Sequence, residues 1–410
     1  MANSAQEPPV AAGAGEGSVG EVFRVFGKLG LTSFGGPVAH LGYFRDELVQ
    51  RRKWMSDRQY ADLVAIGQFL PGPASSQIGF GMGLYRAGFM GALAAFVAFT
   101  LPSAIALVLF AYGASFFTGP IGEGVIAGLK IVAVAIVAQA VWGLGKKLAP
   151  DKQRATIAVG AAAITLLWAG VGGQVIAIVL GALAGLLISR SIPEDDSPSL
   201  KFPVSKTVGV IGLVLFAVIL LVTPLLASIN DSGNLAVFSS FYRSGALVFG
   251  GGHVVLPLLQ AGTVDAGWLS NEQFLAGYGA AQAVPGPLFT FAAYLGAVSS
   301  AGSGGVIGAT VGLIAIFLPG FLLLIGVLPF WNSVREHPRA HSLMLGANAA
   351  VVGILLAALY DPVFTTAITG PGPFVLALIS FLLLMQWKLA PWMVVVISAV
   401  GGIALQYLPF

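Results

Sequence analysis

The chain has 410 residues, of which 57% are hydrophobic and only 9% are charged, and its mean hydropathy is +0.90. A soluble globular protein carries about 25% charged residues, so this composition excludes a soluble protein and indicates a polytopic α-helical membrane protein. The formal net charge is +3 and there is no cysteine, which excludes disulfides, thiolate metal sites and thiol chemistry.

The predicted elements divide the chain into a tail, two repeats and a connection. Residues 1–18 are expected to be a disordered tail, because they are rich in Ala, Gly, Pro and Glu and lack the apolar core and basic flank of a cleavable signal. Residues 19–190 and 231–410 are expected to form two repeats of one fold. Residues 191–230 comprise a polar, proline-bearing linker and one connecting transmembrane helix, Val208–Ala227.

The first repeat is interrupted at two places. Gly35-Gly36-Pro37 ends a helical pattern, and Pro71-Gly72-Pro73 separates two short helices, Arg58–Leu70 and Pro73–Tyr85. Unwound backbone is tolerated at membrane depth only where protein buries it or where it lines a polar cavity. Paired interruptions in the two halves of one chain therefore indicate a substrate site.

The second repeat carries the same motifs in the same order. VFRVFGKLGLTSFGG, at Val22–Gly36, matches VFSSFYRSGALVFGG, at Val237–Gly251, and QFLPGP matches QAVPGP. FTLP, at Phe99–Pro102, matches IFLP, at Ile316–Pro319. Several motifs aligned in one order indicate an internal duplication. The breaks of the second repeat are Gly250, Gly251 and Gly252, followed by Pro285, Gly286 and Pro287.

The distribution of basic residues predicts that the repeats are inverted. Lys146–Arg154 is basic, whereas its counterpart Asp361–Gly372 has no Lys or Arg. Arg51 and Arg52 precede the first Pro-Gly-Pro break, whereas the equivalent loop around Asp265 again has no basic residue. By the positive-inside rule, a loop that is cytoplasmic in one repeat is external in the other, and the N-terminus is cytoplasmic.

The same rule predicts a re-entrant hairpin. Both ends of Arg58–Tyr85 adjoin predicted cytoplasmic loops, so two half-helices should enter and leave on one face, with Pro71-Gly72-Pro73 near the midplane and Asp57 as the N-cap. The helices around Gly35-Gly36-Pro37 are either a second hairpin or spanning, and both remain open. The fold class is an all-α polytopic membrane protein with two inverted-topology repeats, broken half-helices and one extra transmembrane helix.

A basic interior with exposed helix N-termini favours an anion, since unsatisfied amides and the helix dipole both attract negative charge. Lys28 and its repeat equivalent Arg243 are the cations expected near the midplane. The first turn after Pro73 is more polar than its counterpart in the second repeat, which favours a tetrahedral oxyanion in the first. The candidate substrate-binding residues are Lys28, Arg243, Ser75, Ser76, Gln77, Gln68, Gln282 and Thr290.

Simpler structural roles for these residues remain open. Lys28 and Arg243 are equally compatible with snorkelling to an interface or with a structural ion pair, and Ser75 and Ser76 with helix capping alone.

Few carboxylates are available for coupling transport to protons. Glu47 and Asp62 are the candidates, although Asp62 also fits an ordinary helix N-terminal charge. His40 and His253 lie beside the glycine breaks but do not align between the repeats, and they are interpreted as packed or hydrogen-bonded residues. No enzyme motif, phosphate loop, cofactor motif or clustered metal-ligand set occurs, so the prediction is a non-enzyme without metal or cofactor.

At these motifs the sequence resembles the chromate ion transporter family, in its long two-domain form. SFGGPVAHLGYFRDELVQRRKWMSDRQY (Ser33–Tyr60) and QFLPGPASSQ are similar to its N-terminal signature, and FGGGHVVLPLL (Phe249–Leu259) with AVPGP to its C-terminal one. The resemblance implies a bacterial inner-membrane protein that exports chromate and confers chromate resistance, with sulfate as a close analogue. The residues themselves support only an inverted-repeat carrier with an anion-friendly centre.

The function expected from both lines is secondary transport of chromate. A sulfate or other oxyanion permease and a channel-like anion uniporter remain alternatives. The expected partners are chromate, with sulfate as its analogue, the lipid bilayer and a second copy of the chain in a homodimer. Nucleic acid is not an expected partner.

Overall fold

The computed structural model describes residues 17–113, 119–188, 202–229, 233–250, 252–331, 333 and 337–407. These residues are almost all helical and include no β-strand. The predicted tail up to residue 16, residues 191–201 of the predicted linker and Gly251 lie outside the described residues. The helices long and apolar enough to cross a membrane are Ala74–Gly113, Gly119–Leu148, Lys206–Ala227, Gly305–Phe330 and Pro338–Ala367.

The first repeat begins with short helices, and its helix Asp57–Phe69 and the half-helix that begins at Ala74 lie close to the predicted Arg58–Leu70 and Pro73–Tyr85. Its longest helix is interrupted at Ala87 and Gly88, whose backbone angles are not helical, so it consists of a half-helix followed by a spanning helix. The elements are α1 Val19–Thr32, α2 Gly36–Phe44, a π-helical segment Arg45–Arg51, α3 Asp57–Phe69, α4 Ala74–Gly113, α5 Gly119–Leu148, α6 Lys152–Leu167 and α7 Val171–Gly185.

The connecting helix and the second repeat follow. The connecting helix is α8, Lys206–Ala227, as predicted. The second repeat contains α9 Asn234–Ala246, a 3-10 turn Gly252–Val254, α10 Val255–Thr263, α11 Asn271–Ala281, a 3-10 turn Leu288–Thr290, α12 Phe291–Val298, α13 Gly305–Val327 with a 3-10 turn Leu328–Phe330, α14 Pro338–Ala358, a π-helical segment Leu359–Phe364, α15 Thr365–Ala367, α16 Pro371–Met385 and α17 Pro391–Tyr407.

The predicted re-entrant hairpin is present in the first repeat. Gln59 Nε2 donates to the Tyr85 hydroxyl at 3.4 Å, so the start of α3 and the end of the first half of α4 lie at the same level. Nearer the break, a Cβ on Gly67 would lie 2.8 Å from Ile78 Cγ1, which requires close antiparallel packing. Gly88, at φ +64°, then reverses the chain.

The open question about the Gly35-Gly36-Pro37 segment is answered by a second hairpin. Trp54 Nε1 donates to Glu21 Oε1 at 3.1 Å, which places the start of α1 beside the end of the π-helical segment. The second repeat repeats this arrangement, because the Ser240 hydroxyl on α9 donates to Gly262 O on α10 at 2.8 Å.

The N-cap of α3 differs from the prediction. Ser56, rather than Asp57, caps the helix: its hydroxyl accepts from the Gln59 amide, and the Gln59 side chain accepts from the Ser56 amide. This reciprocal capping box uses Ser56 and leaves Asp57 inside the first turn, where its carboxylate accepts from Arg45 Nε at 2.7 Å. The same capping box recurs at Ser270 and Gln273.

The packing around α5 agrees with inverted repeats. Ile131 packs with Leu376, and Gln139 Nε2 donates to Leu384 O at 3.5 Å, so α16 runs parallel to α5. The segment before Pro371 therefore lies towards the N-terminal end of α5, whereas Lys146 and Lys147 lie in its last turn. The loop Asp361–Gly372, which has no basic residue, and the basic loop Lys146–Arg154 thus lie at opposite ends of α5.

Candidate functional site

The four helix breaks meet through a pair of crossed hydrogen bonds. The Gly72 amide donates to Val248 O at 2.7 Å, and the Gly286 amide donates to Ser33 O at 2.9 Å. Each bond joins the Pro-Gly-Pro break of one repeat to the residue two places before the glycine break of the other. The breaks of the two repeats therefore form one centre, with the internal symmetry that the duplicated motifs predict.

This centre requires glycine at both crossing points. Gly72 has φ +122° and Gly286 has φ +95°, which side chains with a Cβ rarely adopt. A Cβ on Gly72 would lie 3.1 Å from Gly320 Cα, and one on Gly286 would lie 2.9 Å from Ser103 Oγ. Gly320 and Ser103 follow Pro319 and Pro102, so each Pro-Gly-Pro break also packs on the helix of the opposite repeat.

His40 links the glycine break of the first repeat to the half-helix that follows Pro73. Its Nε2 lies 3.2 Å from Ser33 O, and its Nδ1 lies 3.3 Å from Ser75 Oγ. Because a carbonyl only accepts, Nε2 is the donor, and in a neutral imidazole Nδ1 then accepts the hydroxyl proton of Ser75. The Ser75 hydroxyl proton is thereby used in a hydrogen bond within the protein. This agrees with the prediction that His40 is a hydrogen-bonded residue.

Ser76 is buried next to Ser75, and its hydroxyl forms no hydrogen bond with the described residues. Its side chain is 3% exposed, and its Oγ has no hydrogen-bond partner among the described residues. The first amides of α4 have no intrahelical acceptor, because every α-helix leaves its first N–H groups unpaired. A hydroxyl donor and backbone donors therefore converge at the start of this half-helix.

Other unpartnered polar atoms surround the breaks. Buried polar atoms are normally hydrogen-bonded, so a cluster of unpartnered ones indicates space for water or a ligand. The Gln77 amide nitrogen is used, since it donates to Pro71 O at 3.1 Å and Gly320 O at 2.9 Å, but its Oε1 is free. The buried atoms without a partner among the described residues include Ser33 Oγ, Ser76 Oγ, Gln77 Oε1, Thr100 Oγ1, Gln282 Nε2 and Asn348 Oδ1.

The second Pro-Gly-Pro break is apolar. Phe289 is 2% exposed and Phe291 is fully buried, and the Thr290 hydroxyl already donates to Pro287 O at 2.7 Å. Gln282 retains an unpartnered amide nitrogen, whereas Gln68, its counterpart in the first repeat, is exposed. The first half-helix is therefore the polar one, and Gln68 and Thr290 are the candidates least suited to a ligand.

Lys28 has a carboxylate partner. Its Nζ lies 3.6 Å from Glu47 Oε2, and Glu47 also accepts from Arg51 at 3.0 Å and Arg52 at 2.9 Å. Burial raises the pKa of Glu47, but the hydrogen bond from Arg52, the charge of Lys28 and the hydrogen bond from Arg51 outweigh it, so the pKa lies below the usual range. Glu47 is thus held ionised, which fits an ion-pair hub better than a proton carrier.

Among the residues that the structure describes, Arg243 has no carboxylate partner. It lines a cavity of about 460 Å³ together with Ser239, Ser240 and Asp265, and it forms no ion pair among the described residues. The motif alignment explains the difference. Glu47 corresponds to Gly262 if it is counted from the glycine-break motif and to Ala261 if it is counted from the Trp54 motif, and both of these uncharged residues lie on the cavity wall. The guanidinium is therefore available to an anion.

Sequence reasoning missed several of these groups. Ser33 and Thr100 contribute unpartnered hydroxyls, and each lies inside a duplicated motif, SFGG or FTLP, which was the available signal. Ser239 and Ser240, which line the Arg243 cavity, also lie inside a duplicated motif, at the positions where the first repeat has Arg24 and Val25. Asp62 lies one turn into α3 and is half-buried, away from the residues named around the breaks.

Comparison with known proteins gives a consistent set of relatives. The family model described as Chromate transporter matches residues 20–186 and 235–403, one match for each repeat. The chain is 28% identical to a probable chromate transport protein of Synechococcus elongatus, over 94% of this chain and 95% of that one. It is 29% identical to a chromate transport protein of Pseudomonas aeruginosa, over 93% and 90% of the two chains. A chromate transport protein of Cupriavidus metallidurans is 28% identical over 93% and 92%. No solved structure matches the chain.

Proposed function

The chain belongs to the chromate transporter family, and from this premise we propose that it exports chromate across the bacterial inner membrane and so confers chromate resistance. The observation that carries the proposal is the group of unpartnered buried polar atoms where the four helix breaks meet. Its hydroxyls and the Gln282 amide nitrogen can donate to an oxyanion, which only accepts hydrogen bonds, whereas Gln77 Oε1 and Asn348 Oδ1 only accept and are not part of the proposed anion site.

The proposed binding centre is the start of the polar half-helix. Chromate is a tetrahedral dianion, so several donors can each approach a separate oxygen atom. The first amides of α4 and the free hydroxyl of Ser76 supply such donors, and the helix dipole adds a favourable field. Ser75 holds the half-helix in place through His40 and binds the anion only if that bond rearranges.

Arg243 is proposed to line the external opening, through which exported chromate leaves the protein. Its cavity of about 460 Å³ is lined by Ser239 and Ser240, and it lies on the side that the positive-inside rule assigns to the outside of the cell. The equivalent residue in the first repeat, Lys28, forms an ion pair with Glu47 on the assigned cytoplasmic side. The external opening thus has an arginine without an ion pair among the described residues, whereas its pseudo-symmetric cytoplasmic counterpart carries the Lys28–Glu47 ion pair. This asymmetry supports alternating access by movement of one repeat against the other.

The membrane potential favours export of a dianion. Moving one charge across 100 mV corresponds to about 2.3 kcal/mol, so a dianion leaving a negative interior gains about 4.6 kcal/mol. Export therefore needs no additional energy source at ordinary potentials.

Transport assays with the purified protein test this function. In proteoliposomes with an imposed voltage, chromate flux should follow the potential, and Ser76→Ala should reduce it while the matched variant Ser205→Ala, at the exposed N-cap of α8, should not. Competition by sulfate and molybdate separates a chromate carrier from a general oxyanion permease, and turnover far above carrier rates would indicate a channel. Absence of voltage-driven chromate flux in the wild type would refute the proposal.

A further inference from the structure

A second polar cavity lies between the two repeats, on the face assigned to the outside. It has a volume of about 190 Å³. The first repeat contributes the end of α6 and the start of α7, and the second contributes α10, the start of α11 and the end of α14. Its polar lining consists of Thr165, Gln174, Gln260, Asp265, Asn271 and Asp361.

The neutral side chains of this cavity offer acceptors. Gln174 is 3% exposed, and its Nε2 donates to Pro257 O at 2.9 Å. Because the Pro257 carbonyl can only accept, this bond fixes the orientation of the amide, and Gln174 Oε1 is left without a partner. Asn271 Oδ1 is also buried without a partner. The Thr165 hydroxyl already donates to Ala161 O at 2.9 Å, so only its lone pairs remain.

The charged side chains have the same character. Asp265 Oδ1 accepts from Gln260 Nε2 at 2.8 Å, and Asp361 Oδ1 accepts from the Thr365 hydroxyl at 3.0 Å, which leaves further carboxylate lone pairs on both residues. Partial burial raises the pKa of Asp265, and the charge of Asp361 adds to this against the Gln260 hydrogen bond. The described residues that line this cavity include no Lys, Arg or His.

We propose that this cavity binds a hard metal cation through oxygen atoms of Asp265, Asp361, Gln174 and Asn271. Two carboxylates with neutral amide oxygens are ligands that Na⁺ or Ca²⁺ accepts, and the lack of His or Cys in the lining disfavours a transition metal. The cation offsets the repulsion between the two carboxylates and satisfies the buried amide oxygens. It also joins α7 of the first repeat to the start of α11 and to the π-helical segment Leu359–Phe364 of the second.

The cation site adjoins the Arg243 cavity. Asp265 also lines that cavity, where its negative charge opposes the binding of an oxyanion. A cation beside Asp265 neutralises that charge, so anion and cation should each increase the affinity for the other. This coupling rests on the proposed function, whereas cation binding itself does not.

Thermal unfolding of the purified full-length protein in detergent, without any oxyanion, tests the site. The unfolding midpoint should rise saturably with NaCl or CaCl₂ relative to choline chloride at matched ionic strength, and comparing the two salts identifies the cation. Asp265→Asn and Asp361→Asn should each reduce the apparent affinity at least tenfold. Glu272→Gln is the matched control, since Glu272 is exposed on the same end of α11 and lies outside the cavity lining, and it should respond like the wild type.

Several results would overturn the proposal. These are equal midpoints in choline, sodium and calcium, wild-type responses in both Asn variants, and stabilisation by acid alone, which would mean that the carboxylates share a proton. Asp361 is exposed, so its variant is expected to fold normally. Because no chromate is present, failure here is distinguishable from failure of the transport assay. Binding of the cation without any effect on chromate affinity would remove the coupling alone.

Discussion

Arg243 and Lys28 occupy equivalent positions in the two repeats, but their replacement should have unequal effects. Arg243→Ala removes a guanidinium that has no ion pair among the described residues and faces a cavity of about 460 Å³. A hydrogen bond to a charged group contributes about 1.5–3 kcal/mol, so chromate affinity should fall about tenfold to about 150-fold. Arg243→Lys keeps the charge but loses the planar donor pair, and it should lie between the wild type and Arg243→Ala.

Lys28→Ala should have a much smaller effect. The Lys28 side chain is 55% exposed, and Glu47 keeps Arg51 and Arg52 as partners when Lys28 is removed. An exposed ion pair contributes about 0–1 kcal/mol, which corresponds to less than about fivefold in any equilibrium.

Concentration-dependent uptake of chromate into right-side-out vesicles, which present the Arg243 cavity to the medium, and into everted vesicles, which present the Lys28 side, measures the two effects. Protein levels and gel-filtration profiles of the variants serve as the folding control. The reasoning is refuted if Arg243→Ala takes up chromate with wild-type affinity, or if Lys28→Ala loses as much affinity as Arg243→Ala.

Three further substitutions test the centre and the ion-pair hub. Gly72→Ala should abolish transport and lower the thermal unfolding temperature, because the residue has φ +122° and its Cβ would lie 3.1 Å from Gly320 Cα. Gly27→Ala is the control and should change neither, because its Cβ would meet no described residue within 4 Å. Gln77→Leu leaves two buried carbonyls without their donor and should destabilise the protein by about 2–4 kcal/mol in chemical unfolding, so a change below about 1 kcal/mol would contradict the hydrogen-bond assignment. Glu47→Gln should make the free energy of unfolding depend less on pH in the acid range. The wild-type carboxylate has a lowered folded-state pKa, so it stabilises the fold at any pH above its unfolded-state pKa. This contribution disappears as the pH falls through the folded-state pKa. Identical acid limbs in wild type and Glu47→Gln would show that the ion-pair hub does not stabilise the fold.

The repeated motifs and the helix breaks are properties that the sequence determined by itself. Proline cannot continue a helix, and glycine permits positive φ, so Pro71-Gly72-Pro73 marks an interruption whatever surrounds it. The match of the glycine and Pro-Gly-Pro motifs between the halves indicated the duplication, and the family comparison confirms the predicted resemblance. Charge asymmetry between the loops predicted the inverted arrangement, which the direction of α16 along α5 supports.

Side-chain partners were decided only by the tertiary structure. Lys28 and Arg243 are equivalent within the duplicated motif, and only the structure identifies Glu47 as the residue that reaches Lys28 across a helical hairpin, while nothing equivalent reaches Arg243 among the described residues. In the same way, Asp265 and Asp361 face one cavity although they are distant in the chain. Periodicity and backbone preferences depend on neighbouring residues in the sequence, whereas pairing, burial and the remaining hydrogen-bond capacity depend on which helices pack together. The location of the breaks was therefore predictable, but their crossed hydrogen bonds and the unpartnered atoms around them were not.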